Sequence, residues 1–88
     1  MRAVLTVIAK DKDGIIAGVS QELAKLNINI VDVTQTILQE YFTMMMMLEL
    51  QPKADFEMIR NHLNGLGEQL GVKISIQNEE IFDAMHKL

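Results

Sequence analysis

The spacing of apolar positions switches along the chain between strand-like runs and a helical step of three and four. Ala3–Ala9 (AVLTVIA) is a β-branched apolar run of strand length. AKDKDG then turns the chain, and from Ile15 the apolar positions become Ile15, Ile16, Val19, Leu23 and Leu26, one face of a helix. Asp13 is placed to cap that helix, with Gly14 at its start. Asn27 fits a left-handed helix end, and Ile28–Leu38 (INIVDVTQTIL) returns to strand chemistry. A short turn through Gln39 and Glu40 leads into YFTMMMMLEL, which holds four of the seven methionines at Met44–Met47. Pro52 ends this strand and Asp55 is placed to cap a second helix. In that helix Phe56, Ile59, Leu63, Leu66 and Leu70 share one side, with Gly71 just past the end. Val72–Gln77 alternates as a strand, and EEIFDAMHKL sets Ile81, Phe82, Met85 and Leu88 on one helical stripe.

The order strand, helix, strand, strand, helix, strand predicts an α+β, ferredoxin-like βαββαβ sandwich. Right-handed crossovers leave a slot between the first two strands that the third fills. The expected sheet is therefore four-stranded and antiparallel, in the order 4-1-3-2, with two helices on one face. The chain reads as one domain over 1–88, with a core at 1–78 and a short C-terminal helix at 79–88. A strand sends successive side chains to opposite faces. Phe42, Met44, Met46, Leu48 and Leu50 then face the helices, while Met45 and Met47 face away with Tyr41, Thr43 and Glu49. An apolar strand of this kind needs cover on both sides, so the tail or a second subunit must lie over Met45 and Met47. By the same parity Asp32 goes with Ile28 and Ile30, a carboxylate near an apolar face and in need of a partner. Gln35 falls on the face opposite Asp32.

Composition narrows the function. Hydrophobic residues at 49% and charged residues at 23% are those of an ordinary globular domain. The net charge of −4 and the lack of a basic patch exclude a nucleic-acid backbone as the main partner. The N-terminal apolar run stops at Lys10, too short to span a membrane. With no cysteine there are no disulfides and no thiolate ligands. A cytoplasmic protein is expected. His62 and His86 have no cysteine, serine or carboxylate at a telling spacing, so neither predicts a metal or a catalytic role. DKDG resembles part of a calcium loop, but its first and last ligand positions fall on Ala9 and Ser20, and the motif fails. No P-loop or GxGxxG pattern is present. The expectation is a non-enzyme without cofactor or metal.

The most informative segment is the turn AKDKDGII. Backbone N–H groups of Gly14, Ile15 and Ile16 open a helix, whose positive end attracts a carboxylate. Gly14 permits close approach, and Asp11, with Lys12 beside it, is placed to meet an ammonium group. The competing reading is a plain polar loop with a capped helix. Asn29 begins the second strand, at the edge of the expected sheet, either as a seam residue or as decoration.

TVIAKDKDGIIAGVSQELAKLNINIVDVTQTI resembles an ACT domain, the small regulatory module of amino-acid metabolism. The residues that carry the likeness are Asp11, Gly14, Ile15, Ile16, Asn29 and Ile30. It is most similar to the ACT domains of formyltetrahydrofolate deformylases and the glycine-cleavage repressor, which have a similar NIVD…Q strand, and to free-standing bacterial ACT proteins with IFDAM-like tails. Proline often stands where Asp13 does, so the loop here is more acidic. The resemblance implies the fold above, a homodimer, and an amino acid bound between two domains by the loop and the Asn29 position. It assigns ligand-binding roles to Asp11, Gly14, Ile15 and Asn29, and Lys12 and Ile16 flank them. Met45, Met47, Ile81, Phe82 and Met85 are the expected interface. The alternative is a module that docks on a metabolic enzyme or regulator without a small ligand.

Overall fold

The computed structural model describes residues 1–10 and 14–86, the last two of these in backbone only. Its elements are β1 (Arg2–Ala9), α1 (Ile15–Lys25), β2 (Asn29–Leu38), β3 (Tyr41–Glu49), α2 (Phe56–Leu70), β4 (Lys73–Asn78) and α3 (Glu79–His86). The strands form one antiparallel sheet in the order β2-β3-β1-β4. This is the ferredoxin-like arrangement that the alternation of strand and helix patterns predicts.

Local signals set most boundaries. Asp55 caps α2, its carboxylate accepting from the Met58 N–H at 3.2 Å. Asn27 takes the left-handed conformation, with φ 58°. At the start of α1 the cap position falls on Gly14, φ 74°, with no side-chain cap bond. That corrects the cap expected from Asp13, which lies outside the described residues. A left-handed cap position favours a residue without a Cβ.

One face of the sheet carries the core. Ile15, Val19 and Leu23 of α1 and Ile59 and Leu63 of α2 pack with Leu5, Val7, Met44, Met46 and Leu48. The two even-numbered methionines of β3 are thus fully buried under the helices, as the parity of the strand requires. Gly67 of α2 lies so near β4 that a Cβ there would stand 2.9 Å from the Val72 carbonyl oxygen. The helix therefore seats directly on that edge of the sheet.

The opposite face is covered in part. α3 packs against β1 and β4 of its own chain, which leaves the β2–β3 half of this face open. Val4 is buried, Met45 and Met47 are half-buried.

Candidate functional site

The register turns the sheet into rungs whose members share a face. On the open face Asn29, Glu49 and Arg2 form the first rung, Asp32, Met47, Val4 and Gln77 the second, and Thr34, Met45, Thr6 and Ser75 the third. The placement of Asp32 corrects the parity expectation. The register shifts between Ile30 and Asp32, so Val31 is an extra residue, a β-bulge. Ile30 still pairs with Leu48 on the helix side, but Asp32 pairs with Met47 on the open side. The carboxylate that seemed bound for an apolar face is thereby turned outward. Its Oδ1 accepts from the Val33 N–H at 2.9 Å. Gln35 pairs with Met44 on the helix side, so it does stand on the face opposite Asp32.

The predicted loop site divides. Asp11 and Lys12 lie outside the described residues. Gly14 and Ile16 are exposed, whereas the Ile15 side chain is in the core and only its backbone could face a ligand. Asn29 is exposed, at the start of β2. Within one chain it stands at the end of the sheet opposite the one that Ala9 leaves. The loop follows Ala9, which pairs with Phe42 at one end of the sheet, while Asn29 pairs with Glu49 and hence stands opposite Arg2 at the other. The eight residues of β1 separate the two ends, about 23 Å of strand. One small molecule cannot touch both within one chain.

Glu49, beside Asn29, has two positively charged neighbours. The amino terminus donates to its Oε2 at 3.0 Å, and Arg2 Nε lies 3.6 Å from its Oε1. The ammonium hydrogen bond, with the charges of the terminus and of Arg2, holds the Glu49 carboxyl below its ordinary value. Sequence reasoning also missed a contact between the helices. His62 Nε2 of α2 stands 3.1 Å from Glu22 Oε2 of α1, a carboxylate partner forty residues away that local spacing cannot reveal.

Of the expected interface residues, Met45, Met47 and Phe82 meet at a pocket of about 160 Å³, lined also by Val4, Asp32 and Thr34. Ile81 is exposed, and the Met85 side chain lies outside the described set. Among the described residues no three His, Cys, Asp or Glu side chains could hold a metal ion, and no helix is long and apolar enough to cross a membrane.

Residues 2–77 match the ACT domain family. A UPF0237 protein from Listeria innocua is 64% identical over 89 residues, covering 100% of both chains. The solved ACT domain protein from Streptococcus pneumoniae is 50% identical, with a TM-score of 0.87 over 98% of each chain. A formyltetrahydrofolate deformylase from Pseudomonas putida shares the fold at 14% identity and a TM-score of 0.79, over 89% of this chain and 29% of that one. The overall fold is thus that of a known scaffold: the chain belongs to the ACT domain family, alongside the UPF0237 proteins.

Proposed function

We propose that this protein is a non-catalytic, cytoplasmic regulatory module that binds an amino acid or similar small metabolite at the interface of a homodimer. ACT domains are regulatory and often bind ligands. The observation that carries the reading is the separation of the two candidate half-sites, the α1 start and Asn29, at opposite ends of the sheet. The strand between them and solvent, β2, is an edge whose ten residues are all exposed. If two copies pair their β2 strands antiparallel about a two-fold axis, Asn29 of a second copy comes to the end of the sheet where α1 begins. Each interface would then hold two equivalent sites, each with a helix start from one chain and a carboxamide from the other. The helix start favours a ligand carboxylate, and Asn29 supplies a donor and an acceptor.

The test is a thermal-shift screen against the proteinogenic amino acids, with the mass in solution recorded alongside. A ligand that binds the native state raises the melting temperature by mass action. We expect a dimer, a shift from one or a few amino acids, and loss of that shift in Asn29→Ala with the dimer intact. In Val33→Lys with Ile37→Lys, both the dimer and the shift should vanish together. A dimer that no amino acid stabilises would overturn the ligand, and would favour a module docking on a metabolic enzyme or regulator. A shift retained in a monomer would overturn the shared site.

A further inference from the structure

On the face of the sheet away from α1 and α2, the pocket beside Phe82 of α3 has features that the proposed β2-edge dimer does not use. We propose that it binds a small organic cation with an apolar body, of the benzylammonium or short alkylammonium class. Its floor is the rung Asp32, Met47 and Val4 and the next rung's Thr34 and Met45, and Phe82 of α3 lines one side. The apolar members sit toward β1 and β3, and the polar pair Asp32 and Thr34 stands on β2. A guest is therefore met by thioether, isopropyl and aromatic surface at one end and by a carboxylate and a hydroxyl at the other.

Size, charge and backbone geometry point to this class together. A volume of about 160 Å³ is close to that of an engineered cavity of about 150 Å³ that accepts benzene. Methionine side chains adapt to the outline of such a guest. Asp32 is held by the Val33 N–H through Oδ1, and among the described residues no cation lies within ion-pair distance of it. A carboxylate at the polar end of an apolar pocket selects an ammonium group, and the net charge of −4 further disfavours anions. A free amino acid would set its own carboxylate near Asp32, so an amine is preferred over a zwitterion, the reverse of the interface site. The bulge is the third argument. Had Val31 taken a regular pair with Met47 instead of bulging, Asp32 would pair with Met46 and face the helices, and the pocket would lose its charge. Bulges commonly re-aim a side chain beside a binding site.

The experiment uses the whole chain labelled at the methionine methyl groups and titrated with benzylamine at neutral pH, with benzyl alcohol as the neutral isostere. The Met45 and Met47 resonances should move with benzylamine while the exposed Met58 on α2 stays still. Benzyl alcohol should bind several-fold more weakly. In Asp32→Asn, a near-isosteric exchange at an exposed position, benzylamine affinity should fall roughly fivefold, the scale of an exposed ion pair, and then match that of the alcohol. High salt should weaken the amine and leave the alcohol unchanged. Unmoved Met45 and Met47 signals would overturn the site. Equal binding of amine and alcohol, with no effect of Asp32→Asn, would overturn the cation and leave an apolar crevice.

Discussion

β2 and β3 lie side by side, carry similar strand chemistry and fare very differently. In the rung that joins Val33 to Met46, both side chains point to the helix side, yet Val33 is 38% exposed and Met46 1%. In the rung of Ile37 and Phe42 the values are 58% and 2%. Position in the sheet decides this. β3 has a strand on either side and helices above it, whereas β2 has one neighbour and extends beyond the cover of the helices. The other edge strand makes the contrast sharper. β4 is only six residues long and its Ile74 and Ile76 are buried, with α2 seated on it through Gly67. One edge is thus short and roofed, in the manner of strands protected from unwanted pairing. The long one is bare, and it is the one the proposed dimer uses.

Truncating the two members of one rung should break the comparison most plainly. Met46→Ala should cost about 2–5 kcal/mol, the range for emptying a buried site. Val33→Ala should cost under about 1 kcal/mol in the monomer, as a mostly exposed change does. Urea unfolding at low protein concentration measures both. If the cost of Val33→Ala grows with protein concentration, a second copy covers β2.

A glycine pair probes the roofed edge. Gly67→Ala forces a Cβ against the Val72 carbonyl and should destabilise by about 1–3 kcal/mol through overpacking. Gly65→Ala, two residues earlier with open space around it, should stabilise by up to about 1 kcal/mol through helix propensity. Opposite signs in thermal melts would establish that the close approach to Val72, just before β4, and not helix propensity, governs Gly67. Two equal effects would contradict it. At the start of the same helix, Asp55→Ala should cost about 1 kcal/mol through the lost cap to the Met58 N–H.

The smallest effect belongs to the exposed rung of Asn29, Glu49 and Arg2. Glu49 loses its proton more readily in the folded chain, because the amino terminus and Arg2 hold its carboxyl below the ordinary value of 4.5. Its contribution is therefore present above pH 4.5 and disappears as pH falls through the lower folded value. Melting curves of the parent and Glu49→Gln should differ slightly at neutral pH and converge in acid. Curves that stay parallel across that range would mean that the ion pairs contribute nothing measurable.

Much of the fold was legible because it rests on short-range geometry. The parity of Phe42–Leu50 predicted which methionines are buried, and the three-four step of Ile59 and Leu63 predicted the buried side of α2. Loop and edge candidates could be named from residue type alone. Asp32 was misplaced because parity counting assumes a regular strand, and the Val31 bulge breaks it. No local signal in NIVDVT marks that insertion. The Glu22–His62 contact was hidden for another reason: it depends on how two helices lie across the sheet.

By itself, then, the sequence determined the elements, their order and their buried faces, since hydrophobic periodicity and caps act within a few residues. From these, chain connectivity leads to the sheet order. Only the tertiary structure decided that α3 covers its own β1 and β4, that Asp32 faces the pocket, and that Gly14 and Asn29 stand at opposite ends of the sheet. Those outcomes arise from registers and packing between residues far apart in the chain, where a shift of one residue reverses a face.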